Sequence, residues 1–152
     1  MEQRRDERVQ IEDKVMWLER YRDLQRECKY ARNQIERIDT RLGVHGIRSD
    51  GMPRGKGGVH DAMADAVVEL VAARHKLQEL EIDSARAMRQ IIDWITAIAD
   101  PHIRGILMRR YISGWTWQRI GTDMELDETT VRRHHNDFLE GCGPVPEKPE
   151  IM

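Results

Sequence analysis

Residues 100–139 read DPHIRGILMRRYISGWTWQRIGTDMELDETTVRRHHNDFL, and the fold turns on this stretch. Asp100 before Pro101 is a helix start, with a carboxylate to cap the free amides and a ring already fixed at a helical φ. Ile103, Ile106, Leu107 and Tyr111 then recur on one helical face, and Ser113-Gly114 stops the run. Thr116 caps a second short helix that turns Trp117 and Ile120 inward. Gly121 falls where two crossing helices need a small residue to come close. Asp127 caps the third helix, whose inward residues are Val131, Phe138 and Leu139. Three short helices in this order, the last two joined by a tight turn, have the spacing of a helix-turn-helix.

With Val131 facing inward, Thr129, Arg132, Arg133 and Asn136 face out. Arg forks onto guanine, Asn onto adenine, and Thr meets a base edge, a phosphate or a thymine methyl. Arg119 and Arg110 are placed to hold phosphates. Asp127 and Glu128 suit the positive end of the helix dipole, and Glu128 can also accept from a cytosine amino group. The rival reading is a three-helix packing domain whose outer face is simply charged. Residues 100–141 carry six Lys and Arg against seven Asp and Glu. That balance works against tight binding, because most non-specific DNA affinity comes from phosphate neutralisation. The adjacent Arg132 and Arg133 keep the DNA reading in front.

Upstream lie two heptad seams. Val9 to Leu42 contains neither Pro nor Gly, and Trp17, Tyr21, Leu24, Cys28, Ala31, Ile35, Ile38 and Leu42 alternate steps of three and four on an otherwise charged helix. Gly51-Met52-Pro53-Arg54-Gly55-Lys56-Gly57-Gly58 cannot continue it. A second seam then runs from Met63, Ala66 and Leu70 to Ile91, Trp94 and Ile98. The chain is therefore expected to be all-α. Residues 1–99 form a long antiparallel helical hairpin, with helices at about 9–44 and 60–98 around a Gly-rich connector at 45–59. Residues 100–141 form the three-helix domain, and the Pro-rich residues 142–152 a disordered tail. Val67, Val71, Met88 and Ile95 widen the second helix's apolar stripe beyond what one partner helix covers. Docking against another chain, or against the C-terminal domain, is expected, with a homodimer favoured.

Other functions find no support in the sequence. Cys28 and Cys142 stand far apart, which argues against a disulfide framework and for a reduced cytoplasmic setting. The N-terminal residues lack the apolar core of a signal peptide, and no run of about 18 apolar residues is present to span a membrane. Adjacent His134 and His135 cannot both face one metal ion from a helix. No Cys or carboxylate cluster completes a site, so they are expected to be partly buried, hydrogen-bonded histidines. The Gly-rich connector has the wrong spacing for a phosphate-binding loop. No nucleophile elbow, carboxylate pair or Cys–His signature is present, so neither enzyme activity nor a cofactor is expected.

The C-terminal segment resembles the region-four DNA-binding domain of bacterial sigma factors. The resemblance rests on Leu107, Arg110-Tyr111, Gly114, Thr116, Ile120-Gly121, Glu128 and Val131. Residues 15–140 as a whole resemble phage transcriptional regulators of the RinA and ArpU kind. They share a Y-x-x-L segment (Tyr21 to Leu24) in a long first helix, a G-M-P-R-G connector (Gly51 to Gly55), a second long helix and a terminal helix-turn-helix. The chain departs from that pattern at Glu125, where the turn usually has Gly, and at His134, where an apolar residue usually packs. The resemblance implies a sequence-specific, DNA-binding activator of phage or prophage late genes that acts with RNA polymerase in the nucleoid. Two other functions fit the same parts. One is a DNA-recognition subunit of a packaging machine, like a small terminase. The other is an adaptor that binds polymerase without touching DNA.

Overall fold

The structure is a computed structural model that describes residues 2–47 and 58–146. All secondary structure among the described residues is helical. Helix α1 spans Glu2–Ile47 and α2 spans Gly58–Thr96. Helix α3 (Pro101–Leu107) continues into a wider π-helical turn, Met108–Ile112, and is followed by α4 (Trp117–Met124) and α5 (Glu128–Gly141). Helix α1 outruns its expected limits at both ends, while α2 starts two residues earlier than expected and ends two residues short, at Thr96. Residues 2–8 are Glu, Gln, Arg and Asp with no breaker, so the helix that the apolar seam nucleates continues through them. Residues 45–47 and 58–59 of the expected connector are helical as well. Its centre, residues 48–57, lies outside the described residues.

The chain divides into two compact units, one formed by Met1–Asp23 with Ala85–Met152 and the other by Leu24–Ser84. The boundary expected near residue 99 thus falls inside the first unit.

In the Leu24–Ser84 unit, Cys28, Ile38, Leu70 and Leu80 are buried where the heptads place them. Ser84, a seam position that the pattern reserves for an apolar side chain, is also buried, and its hydroxyl accepts from Gln25 Nε2 at 2.7 Å. Arg32 pairs with Glu81 at 3.0 Å and Arg41 with Glu69 at 3.2 Å. Partner numbers rise along α1 as they fall along α2, so the two run antiparallel within this unit. Both ion pairs are about half exposed and contribute a few tenths of a kcal/mol each. The apolar seam, at about 25 cal/mol per Å² removed from water, supplies most of the stabilisation.

The other unit has a core made jointly by long and short helices. Trp17 and Leu18 of α1, Ile91 and Ile95 of α2, Ile103, Leu107 and Tyr111 of α3 and its π turn, and Leu139 of α5 form one buried cluster. Trp17, Trp94 and Phe138 meet edge to face, with centroid separations of 5.8 and 6.1 Å. Of the residues expected to widen the apolar stripe of α2, Ile95 is fully buried against the C-terminal helices, one of the two docking partners expected for it, whereas Val67 and Val71 are exposed. Cys142 and Val145 pack against the same cluster, so the expected disordered tail departs from the core later than residue 142. Residues 147–152 lie outside the described residues. Lys14 fixes this end: its ammonium is buried and donates to the carbonyls of Leu139 (2.6 Å) and Cys142 (2.9 Å). A cation thereby meets the carbonyls left free at the end of α5.

Candidate nucleic-acid interface

Each break between the short helices has a local cause. The Asp100 carboxylate accepts from the His102 amide at 2.8 Å, and Pro101 follows at the first helical position. Arg104 donates to the carbonyls of Ile98 (2.5 Å) and Ala99 (3.1 Å), closing the end of α2. After the π turn the chain reverses at Gly114, whose φ of +75° favours glycine. A Cβ there would also lie 2.9 Å from Nε of Arg22 on α1. Thr116 caps α4 through its hydroxyl, which accepts from the Arg119 amide at 3.2 Å.

The turn between α4 and α5 depends on Gly121 and Glu125. A Cβ on Gly121 would stand 2.6 Å from the Leu126 carbonyl oxygen, so the two helices approach as closely as the sequence implied. The Leu126 amide donates back to the Gly121 carbonyl at 2.8 Å, a closure that requires a left-handed residue between them. That residue is Glu125, at φ 57° and ψ 41°. Asp127 occupies the position before α5 in extended geometry, but its side chain makes no capping hydrogen bond. Ile106, Ile120 and Val131 are buried beneath the turn, with Trp115, Trp117, Met124 and Leu126 packed around them.

Helix α5 turns Val131, His135 and Leu139 inward and leaves Thr129, Arg132, Arg133 and Asn136 exposed. Arg132 pairs with Glu128 one turn earlier at 2.7 Å, while Arg133 makes no ion pair or hydrogen bond among the described residues. Arg119 is exposed, with its guanidinium 4.0 Å above the Trp115 ring. Arg109 approaches Trp115 at 5.9 Å and pairs with Asp123 at 2.9 Å. Arg110 behaves differently from the sequence expectation. It is half-buried, lies 4.3 Å over Trp117 and donates to the Trp115 carbonyl at 3.1 Å. Those contacts make it a brace for the turn rather than an open phosphate ligand.

The two histidines are both hydrogen-bonded to residues of α3 and its π turn. The Tyr111 hydroxyl donates to Nε2 of His135 at 2.6 Å, and its Nδ1–H donates to Oδ1 of Asn136 at 2.8 Å. Burial pushes the His135 pKa below its ordinary 6.5 and raises that of the Tyr111 hydroxyl. Both shifts favour a neutral ring joined to a neutral phenol. Desolvation is the leading cause in each case. His134, placed where the sequence pattern called for an apolar side chain, shares a 3.0 Å hydrogen bond with His102 of α3. Among the described residues no group of three or more His, Cys, Asp or Glu is arranged to hold a metal ion, and no helix is long and apolar enough to cross a membrane.

Lys14, Arg22 and the Arg109–Asp123 pair escaped the sequence reading. Each joins residues distant in sequence or on successive helices, where no periodic signal operates. No family model, curated protein sequence or solved structure matches this chain.

Proposed function

We propose that the chain is a sequence-specific, DNA-binding transcription regulator, a helical hairpin carrying a sigma-region-four-like helix-turn-helix, and that it activates phage or prophage late genes with RNA polymerase. In this reading α4 and α5 are the two helices of the motif and α5 enters the major groove. Thr129, Arg132, Arg133 and Asn136 read base edges, and Arg119 holds a phosphate. The observation that carries the reading is the division of α5 into a buried side and an exposed side bearing these four residues. The Arg132–Glu128 pair is exposed and worth only a few tenths of a kcal/mol, so Arg132 is readily released to a base. The protein acts in the cytoplasm as a homo-oligomer, with a dimer favoured, and uses no cofactor or catalytic residue.

The test is an electrophoretic or anisotropy titration of the full chain against the DNA upstream of its own gene. Arg132→Ala with Arg133→Ala removes two groups worth about 1–3 kcal/mol each, a loss of about 30-fold or more, with far-UV circular dichroism unchanged. Equal binding by the double variant at moderate salt overturns the assignment.

The charge balance favours a second reading, an adaptor that binds polymerase without touching DNA. Salt separates the two. With Arg119 neutralising one phosphate in each domain, affinity falls about 3.5-fold per domain, or about 12-fold for a dimer, between 50 and 200 mM salt. No measurable binding to DNA at low salt leaves the adaptor standing. A packaging subunit instead requires a ring-like oligomer, which a mass measurement identifies.

A further inference from the structure

Helix α2 carries a second heptad seam on the side away from α1. Ala64, Val68, Val71, His75, Gln78 and Ile82 recur at alternating steps of four and three, and all six are exposed. Val68 and Val71 are 69% and 63% exposed. The inward seam of the same helix, through buried Leu70 and Leu80 and half-buried Leu77, occupies the other side. A solvated helix face has no use for β-branched apolar residues at coiled-coil spacing over about 27 Å.

We infer that this face is a dimer interface, with α2 packed antiparallel on α2 of a second copy of this chain. The inference gives structural form to the oligomeric part of the proposal above and does not depend on DNA contact. The last four residues of the seam are self-complementary, while Val68 meets Ala85 and Ala64 meets Arg89 of the second copy. A two-fold axis between residues 76 and 77 sets Val71 against Ile82 of the second copy, and His75 against Gln78. It also sets Arg74 beside Glu81 and Asp65 beside Arg86, each contact occurring twice. Arg74 and Glu81 are about half exposed in their pairs with Asp39 and Arg32, so both remain able to take a second partner. Sliding the axis back by half a heptad sets Arg74 against Arg74 of the second copy, a like-charge contact that disfavours that register. A parallel alignment also matches Arg74 with Glu79 of the second copy, but it stacks His75 on His75 and Gln78 on Gln78. The antiparallel alignment gives each ring an amide that can both donate and accept. These two central polar layers in an otherwise apolar seam fix register at some cost in affinity.

Two measurements on the full chain test this. Sedimentation at micromolar concentrations should show a dimer. Val71→Glu should raise its dissociation constant at least about tenfold, since a carboxylate would be buried without a partner, while helicity is kept. In a Cys142→Ser background, Val71→Cys with Ile82→Cys should oxidise to a covalent dimer, while Val71→Cys alone should not. A monomeric wild type overturns both this interface and the oligomeric reading. A dimer that Val71→Glu leaves intact, or Val71→Cys cross-linking by itself, overturns this interface alone.

Discussion

Replacing Glu125 by glycine should stabilise the protein, and the structure sets the size of the gain. Glu125 sits at φ 57° and ψ 41°, where its Cβ crowds the following carbonyl at a cost of about 1–2 kcal/mol. Its side chain is exposed and makes no hydrogen bond or ion pair among the described residues, so nothing is lost by removing it. Glycine takes the left-handed conformation freely but adds about 0.5–1 kcal/mol of chain entropy to the unfolded state. The net gain is about 0.5–1 kcal/mol, which is a rise of about 1–4 °C in Tm for a chain of this size. Glu125→Ala is the control. It removes the same charge and side chain but keeps a Cβ, so its stability should stay within about 0.5 kcal/mol of the wild type. The deciding quantity is therefore the difference between Gly and Ala in urea midpoint at unchanged m-value. If glycine is no more stable than alanine, the left-handed residue is not a source of strain, and the account of the α4–α5 turn fails.

Two further substitutions probe the unit that contains this turn. Burial holds His135 neutral, so the folded and unfolded chains bind the same protons at this site above pH 6.5. Below it the unfolded chain takes up a proton that the folded one excludes. Stability should therefore fall by up to about 1.4 kcal/mol per pH unit from 6.5 down to the depressed folded pKa. Urea midpoints at neutral and mildly acidic pH should show this step for the wild type and a smaller one for His135→Gln; equal steps would mean the ring is not held neutral. Lys14→Met removes the donor from the carbonyls of Leu139 and Cys142 and should cost about 2 kcal/mol, with Lys14→Arg recovering part of it. A loss under about 0.5 kcal/mol would show that this cap contributes nothing to stability.

The parts legible in the sequence were those written in local periodicity or local capping. Apolar spacing placed Leu18's neighbour Trp17, Cys28 and Ile38 on the buried side of α1, and Asp100 and Thr116 marked helix starts that both side chains cap. Outward Thr129, Arg132, Arg133 and Asn136 followed from the same periodicity. What was not legible depends on tertiary approach. Arg110 occupies a surface-like position in its helix, yet the Trp117 ring covers it and the Trp115 carbonyl takes its hydrogen bond. Asp127 has the residue type and the backbone of a cap, but nothing local dictates that its carboxylate reaches an amide. His134 interrupts an apolar pattern, and only the arrival of His102 from α3 explains how it is accommodated. The second seam of α2 was half seen: the widened stripe splits, with Ile95 docked against the C-terminal helices and Val67 and Val71 left exposed.

The composition of that core determines what the smallest folding unit is. Of its eight buried residues, Trp17, Leu18, Ile91 and Ile95 come from the two long helices. At about 1.5–3 kcal/mol for each large side chain fully buried, those four account for about 6–12 kcal/mol. That is the size of the whole stability of an ordinary domain. Residues 100–141 contain the α4–α5 turn with its own small cluster of Ile106, Ile120 and Val131. Cut free, they would still expose Ile103, Leu107, Tyr111 and Leu139 and lose the Lys14 cap on α5. The helix-turn-helix spacing that seemed to delimit a domain therefore marks only its distal half. The near half is built by segments at the start of α1 and the end of α2, some sixty residues apart in the chain. A DNA-facing α5 would be held at its C-terminal end by Lys14 of α1 and Trp94 of α2, so any change in the long helices that moves those two residues also moves the exposed face.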